Sequence, residues 1–166
     1  MSQRSDCVVR PAGSRDVHAI AEIYNHYVHV GGSTFDNSPW SPVQAQSLLD
    51  GDPGAHWCVA TIDDALVGWA SAKRFSARFG YRFSLESAVY VHPKSISRGI
   101  GTQLMHSLHQ ACCDAEVHHL MARIIADNQS SIAFHQSLGF EIIGVQKEVG
   151  RMNDEWIDVV LLQKLL

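Results

Sequence analysis

Residues 83–126 limit the folds open to this chain more than any other stretch. Residues 83–91 (FSLESAVYV) read as a strand, rich in β-branched and aromatic side chains, and Pro93 stops it. A loop with two glycines follows, Gly99 and Gly101. Leu104, Met105, Leu108 and Cys112 then recur at helical steps to about residue 115. Residues 120–126 form another apolar run. Strand, glycine turn, helix and strand make a βαβ unit, which requires two parallel strands in one sheet and a right-handed crossover.

The rest of the chain must build around that unit. Val17, Ile20, Ala21, Tyr24 and Val28 mark one helical face, opened by Ser14 as N-cap with Asp16 in the first turn and closed by Gly31-Gly32. Ser41-Pro42 opens a second short helix to about residue 49, and residues 51–54 (GDPG) are a turn. Residues 57–62 and 66–72 read as a hairpin about Asp63-Asp64. Asn128 caps a helix that Gly139 ends, and residues 141–149 and 156–162 are the last strands. The order β-α-α-β-β-β-α-β-α-β-β predicts an α/β (α+β) architecture: one domain, a mixed sheet, helices on both faces.

Composition narrows the function. The 166 residues carry a net charge of -4 with no long basic run, which argues against a nucleic-acid or anionic-membrane surface as the main role. No apolar stretch approaches the ~20 residues that span a bilayer. The opening MSQRSDCVVR lacks an apolar signal core, so a cytoplasmic protein is expected. Cys7, Cys58, Cys112 and Cys113 fit neither a disulfide framework nor a zinc spacing and read as reduced thiols in or near the core. His106, His109 and Cys113 share a helical face, but that face lies opposite Leu104 and Leu108 and reads as the outer one, so no metal site is expected.

The segment VYVHPKSISRGIGTQL (89–104) is the sharpest local feature. Gly99 and Gly101 let backbone N–H groups approach a ligand, and the helix behind them adds partial positive charge, a geometry suited to a pyrophosphate. No Gly-Lys-Ser/Thr follows, so it is not a Walker A loop.

The segment resembles the acyl-CoA loop of GNAT-type N-acetyltransferases, Arg/Gln-x-x-Gly-x-Gly/Ala. Ile96 stands at the Arg/Gln position and Ser97 at a frequent glycine. DNQSSIAFHQSLGFE (127–141) is similar to a second family segment. FSLESAVYVHP (83–93), His135 and EVGRMNDEWIDVVLLQ (148–163) resemble the phosphinothricin and methionine-sulfone acetyltransferase branch. The resemblance implies a mostly antiparallel GNAT-like sheet, acetyl-CoA as co-substrate and a homodimer.

It also implies site residues. Glu86 stands at the branch's general base, and partial burial beside Leu85 and Ala88 would raise its pKa toward that task. His135 stands at the position of the acid that protonates the departing thiolate. Val89, Tyr90 and Val91 would polarise the thioester carbonyl and hold the pantetheine, on a strand that in the family carries a bulge and splays from its neighbour. Ser97, Arg98, Gly99, Ile100, Gly101 and Thr102 would cradle the pyrophosphate, and Asn128 and Ser131 would contact the cofactor.

On the acceptor side, Arg74 and Arg78 would bind carboxylate or phosphinate oxygens. Phe35 would wall the pocket, with Glu86 and Ser87 beside the reacting amine. The reading is an acetyl-CoA-dependent transferase acting on a small amino-acid-like amine by direct attack. The alternatives are a GNAT enzyme for a polyamine, an antibiotic amine or a peptide N-terminus, and a non-catalytic acyl-CoA sensor.

Overall fold

The computed structural model describes residues 6–166. Its strands are β1 (Val8–Pro11), β2 (His56–Ile62), β3 (Ala65–Arg74), β4 (Ser84–Val91), β5 (His119–Ile125), β6 (Glu141–Met152) and β7 (Glu155–Leu165). The helices are α1 (Val17–Val30), α2 (Pro42–Asp50), α3 (Ile100–Asp114) and α4 (Gln129–Ser137). Seven strands form one sheet in the order β1-β2-β3-β4-β5-β7-β6. Every neighbouring pair is antiparallel except β4 and β5, the pair joined through α3.

Strand alternation builds the two layers. Leu85, Val89 and Val91 of β4 pack with the buried stripe of α3, which is Ile100, Leu104, Met105, Leu108 and Cys112. Ala88 and Tyr90, between them in sequence, pack with Ile20, Ile23 and Tyr24 of α1 on the opposite face. Each large apolar side chain of α3 contributes about 1.5–3 kcal/mol by leaving water, so the stripe fixes how α3 lies on the sheet.

Local signals act as read at several joints. Ser41 Oγ accepts from Gln44 N (3.2 Å) while Gln44 Oε1 accepts from Ser41 N (2.8 Å), with Pro42 opening α2. Asp63 and Asp64 take φ of 48° and 62°, the left-handed pair that suits a two-residue hairpin between β2 and β3.

The start of α1 differs from expectation. Ser14 lies inside a short 3-10 turn, Ser14–Asp16, and Asp16 precedes the helix proper. The cause is Asp16's carboxylate. It accepts from Gly13 N (2.8 Å) and from both ends of the Arg10 guanidinium (2.8 Å each), tying β1 to the turn. Asp16 is 5% exposed.

The Arg10 hydrogen bonds hold the Asp16 carboxyl below the usual carboxylate range. A lowered folded-state pKa means stability that is present above the unfolded pKa, about 3.9, and lost as pH falls through the folded one. Asp16→Asn is expected to cost about 1–3 kcal/mol near neutral pH. That deficit should shrink below about pH 4, as urea melts of both proteins across pH would show.

Two surface expectations are corrected. Cys58 and Cys112 are buried, their thiols pushed up to about 12 by burial, but Cys113 is exposed. His109 is not on an outer face. It is buried against Phe140 and accepts at Nδ1 from Lys164 Nζ of β7 (3.2 Å), because β7 and the chain after α4 pack over that part of α3.

Candidate active site

The site arises where the one parallel pair stops. β4 and β5 are in register only from Ser84↔His119 to Glu86↔Met121, yet β4 runs on to Val91 and β5 to Ile125. The diverging ends open a cavity of about 590 Å³. Its walls are the end of β4, the turn entering α3, α4, and Tyr27 and Ser33 from the α1 side.

Beyond Glu86 the strand's backbone faces this gap. His92 N–H donates to Val67 O on the β3 side (2.8 Å). Alternation turns the N–H groups of Val91 and Val89 the other way, into the gap. The expected bulge is absent from this part of β4, whose register with β3 is unbroken from Leu85↔Arg74 to Val91↔Gly68. Divergence from β5 alone exposes the donors. Tyr27 Oη donates to Val91 O (2.5 Å), so α1 closes one side of the opening.

The glycine turn meets its requirement. Gly99 is the N-cap of α3 at φ 76°, and Ser97 is left-handed at 63°. No side chain caps the helix, so its first amides keep their positive end for a ligand. A Cβ on Gly101 would lie 3.2 Å from the Phe134 ring, which shows how closely the turn approaches α4. Ser97, Gly99, Ile100, Gly101 and Thr102 line the cavity; Arg98 is exposed and does not.

Glu86 lines the cavity but is not a carboxyl isolated among apolar groups. Its two oxygens accept from Arg123 Nε and Nη2, both at 2.8 Å. This bidentate bond raises the Arg123 pKa. Ser87 is buried on the other face and donates to Met121 O (3.3 Å).

His135 is buried and lines the cavity. Its Nδ1 is 2.8 Å from Ser131 O, an acceptor, so the ring's proton sits on Nδ1. Nε2 is then a lone pair, and it is buried without a hydrogen-bond partner among the described residues. A proton donor would need the imidazolium, and burial lowers this pKa against the favourable pull of the Ser131 carbonyl. Acting as an acid would therefore require an imidazolium in a buried site, against that desolvation. Asn128 Oδ1 accepts from Ser131 N (3.2 Å), capping α4, while its Nδ2 lies 3.5 Å from Ser33 Oγ.

The expected acceptor residues separate. Arg74 turns away: its backbone N donates to Asp52 Oδ2 (3.0 Å) and its Nε lies 3.6 Å from Asp52 Oδ1. Arg78 is exposed. Phe35 is 40% exposed and packs on Gly150, where a Cβ would meet its ring. None of the three lines the cavity. Arg123, Tyr27, Ser33 and Phe134 line it instead, unnoticed from sequence. The signal for Arg123 was a single cation in the apolar run LMARII.

Residues 10–161 match a family model described as an acetyltransferase (GNAT) domain. The chain is 35% identical over 166 residues to a phosphinothricin N-acetyltransferase of Alcaligenes faecalis, covering 98% of this chain and 84% of that protein. It is similar to a solved ribosomal-protein-alanine N-acetyltransferase from Brucella melitensis, with TM-score 0.92 and 33% identity over 96% of this chain and 99% of that one. It is also similar to a GNAT superfamily phosphinothricin acetyltransferase from Sinorhizobium meliloti solved with acetyl-CoA, with TM-score 0.90 and 32% identity over 96% and 88% of the two chains.

Proposed function

Since the chain belongs to the acetyltransferase (GNAT) domain family, we propose that it acetylates the amino group of a small amino-acid-like acceptor, of phosphinothricin, methionine sulfone or methionine sulfoximine type, by direct transfer in a ternary complex. It is an acetyl-CoA-dependent N-acetyltransferase. The observation that carries the transfer reading is the meeting of Glu86 with the splayed end of β4 in one cavity, and the acceptor type follows the relatives.

The residues present fit acetyl-CoA. The gap offers strand N–H groups at Val89 and Val91 to an extended arm, and the uncapped first turn of α3 behind Gly99 suits a pyrophosphate. Acetyl-CoA supplies an activated acyl carbon and a thiolate leaving group. Val89 and Val91 N–H stabilise the oxyanion that develops on the carbonyl. Glu86 takes a proton from the acceptor ammonium, directly or through water, leaving the nitrogen lone pair to attack. The N–C bond forms as the C–S bond breaks, and the second nitrogen proton balances the one gained by sulfur. His135 works as a neutral positioning group, holding the first turn of α4 through Ser131. Cys58 and Cys112 are buried, and no acyl-enzyme is part of this route.

No helix among the described residues is long and apolar enough to cross a membrane, and a cytoplasmic reaction is in keeping with that. A homodimer has a surface to use in the exposed Ile142, Ile143, Val145 and Val149 of edge strand β6.

Thiol release from acetyl-CoA with a panel of acceptors tests the reading. Phosphinothricin, methionine sulfone and methionine sulfoximine are expected to turn over with kcat/KM well above that for spermidine or a short peptide. Preference for the peptide would move the acceptor to a protein N-terminus. Acetyl-CoA binding with no turnover on any amine would favour a sensor.

A further inference from the structure

Arg123 takes no part in the proton transfer, yet it holds the proposed base. The fork of Nε and Nη2 takes both oxygens of Glu86. The fork takes one lone pair on each oxygen and fixes the direction of the carboxylate, so Glu86 turns fully to an acceptor amine only once this bond opens. An incoming carboxylate can reach the pair, because Arg123 is 54% exposed and Glu86 25%. Both residues line the cavity, and Arg123 lies on β5 two residues past the last rung shared with β4, where the strands diverge.

We propose that Arg123 is the receptor for the acceptor's own α-carboxylate, which displaces Glu86 from the guanidinium and so frees the base only when a free amino acid is bound. The exchange trades one planar two-point bond for another of the same kind. The acceptor's amine lies one carbon from its carboxylate, so docking on Arg123 delivers the amine beside the released Glu86. An acceptor without that carboxylate leaves the base tied. A peptide N-terminus carries an amide there and is excluded by the same logic. Lys73, the register partner of Glu86 on β3, shares its face of the sheet. This inference rests on the proposed reaction and names its acceptor class as α-amino acids with a free carboxylate.

The test compares a free amino acid with its own carboxamide. Thiol release is measured for methionine sulfone and methionine sulfone amide, with wild type, Arg123→Gln and Arg123→Lys. Wild type is expected to prefer the acid by about 10²-fold or more in kcat/KM, as a site built around a polar partner does. Arg123→Gln is expected to bring that ratio to within about 3-fold of unity, by raising KM for the acid and, with Glu86 no longer tied, raising kcat for the amide. Arg123→Lys, which keeps the charge and loses the fork, should fall between.

Acetyl-CoA binding by calorimetry reports whether each variant is folded. If Arg123→Gln does not bind it, the Lys variant carries the test. A ratio unchanged in a variant that binds acetyl-CoA overturns the exchange, as does equal turnover of acid and amide by wild type. No turnover of any amino acid by wild type overturns the proposed function instead, and the exchange with it.

Discussion

Glu86→Gln is expected to lower kcat for amino-acid acetylation by about 10²–10⁴-fold, the usual contribution of a positioned base. The amide keeps the size and the place on β4 but cannot accept the proton. Acetyl-CoA affinity should not move, since the strand N–H groups and the turn before α3 are untouched. The distinctive part is KM. Gln holds a guanidinium less well than a carboxylate does, so Arg123 becomes more available to the acceptor. KM for the amino acid is therefore expected to stay level or fall while kcat collapses. A merely structural Glu86 would instead raise both KM values or lower the melting temperature. Turnover within about 5-fold of wild type would mean that solvent removes the proton, and would sink the base assignment. The double variant Glu86→Gln/Arg123→Gln should be far from additive, because Arg123 acts partly through the group that the first substitution removes.

Much of this was legible because it is local. The turn at Gly99 and Gly101, the cap at Ser41 and the hairpin at Asp63-Asp64 are set by backbone conformations that few residue types adopt, so the letters nearly name them. Glu86 could be picked out because its strand runs straight into the glycine turn. What could not be read was who stands beside whom. Arg123 and Glu86 are 37 residues apart in sequence, and their contact depends on the β4–β5 register, which packing around α3 decides. Parity sets Arg74 apart from Glu86. Arg74 pairs with Leu85 and Lys73 with Glu86, so on a strand only Lys73 shares the base's face. His109 was misplaced because a helical stripe shows the face toward the sheet, not what later strands lay over its flank. For His135 the position was readable but the tautomer was not, since it follows from Ser131's carbonyl.

Trp69→Ala is expected to cost about 3–5 kcal/mol, a large share of the 5–15 kcal/mol that holds such a domain together. Trp69 is 1% exposed, and its ring lies 4.9 Å from Tyr90, 5.3 Å from Trp57, 6.1 Å from Trp40 and 6.2 Å from Tyr24. The damage should not stop at stability, because the same cluster holds the loop after α1. Tyr24 donates to Asp36 (2.7 Å), as does Trp40 through its ring nitrogen (3.1 Å), and Tyr90 Oη donates to Ser33 O (3.3 Å). Ser33 is part of the cavity wall. Emptying the centre of the cluster leaves those rings unsupported, so KM for the acceptor should rise more than KM for acetyl-CoA, whose turn lies across the sheet. Trp69→Phe should be much milder. The indole Nε1 is buried without a partner among the described residues, and Phe removes that unmet donor along with the volume. Urea melts and paired KM values for both variants would decide it. A loss of stability with acceptor KM unchanged would confine the cluster to core support and detach the loop from it.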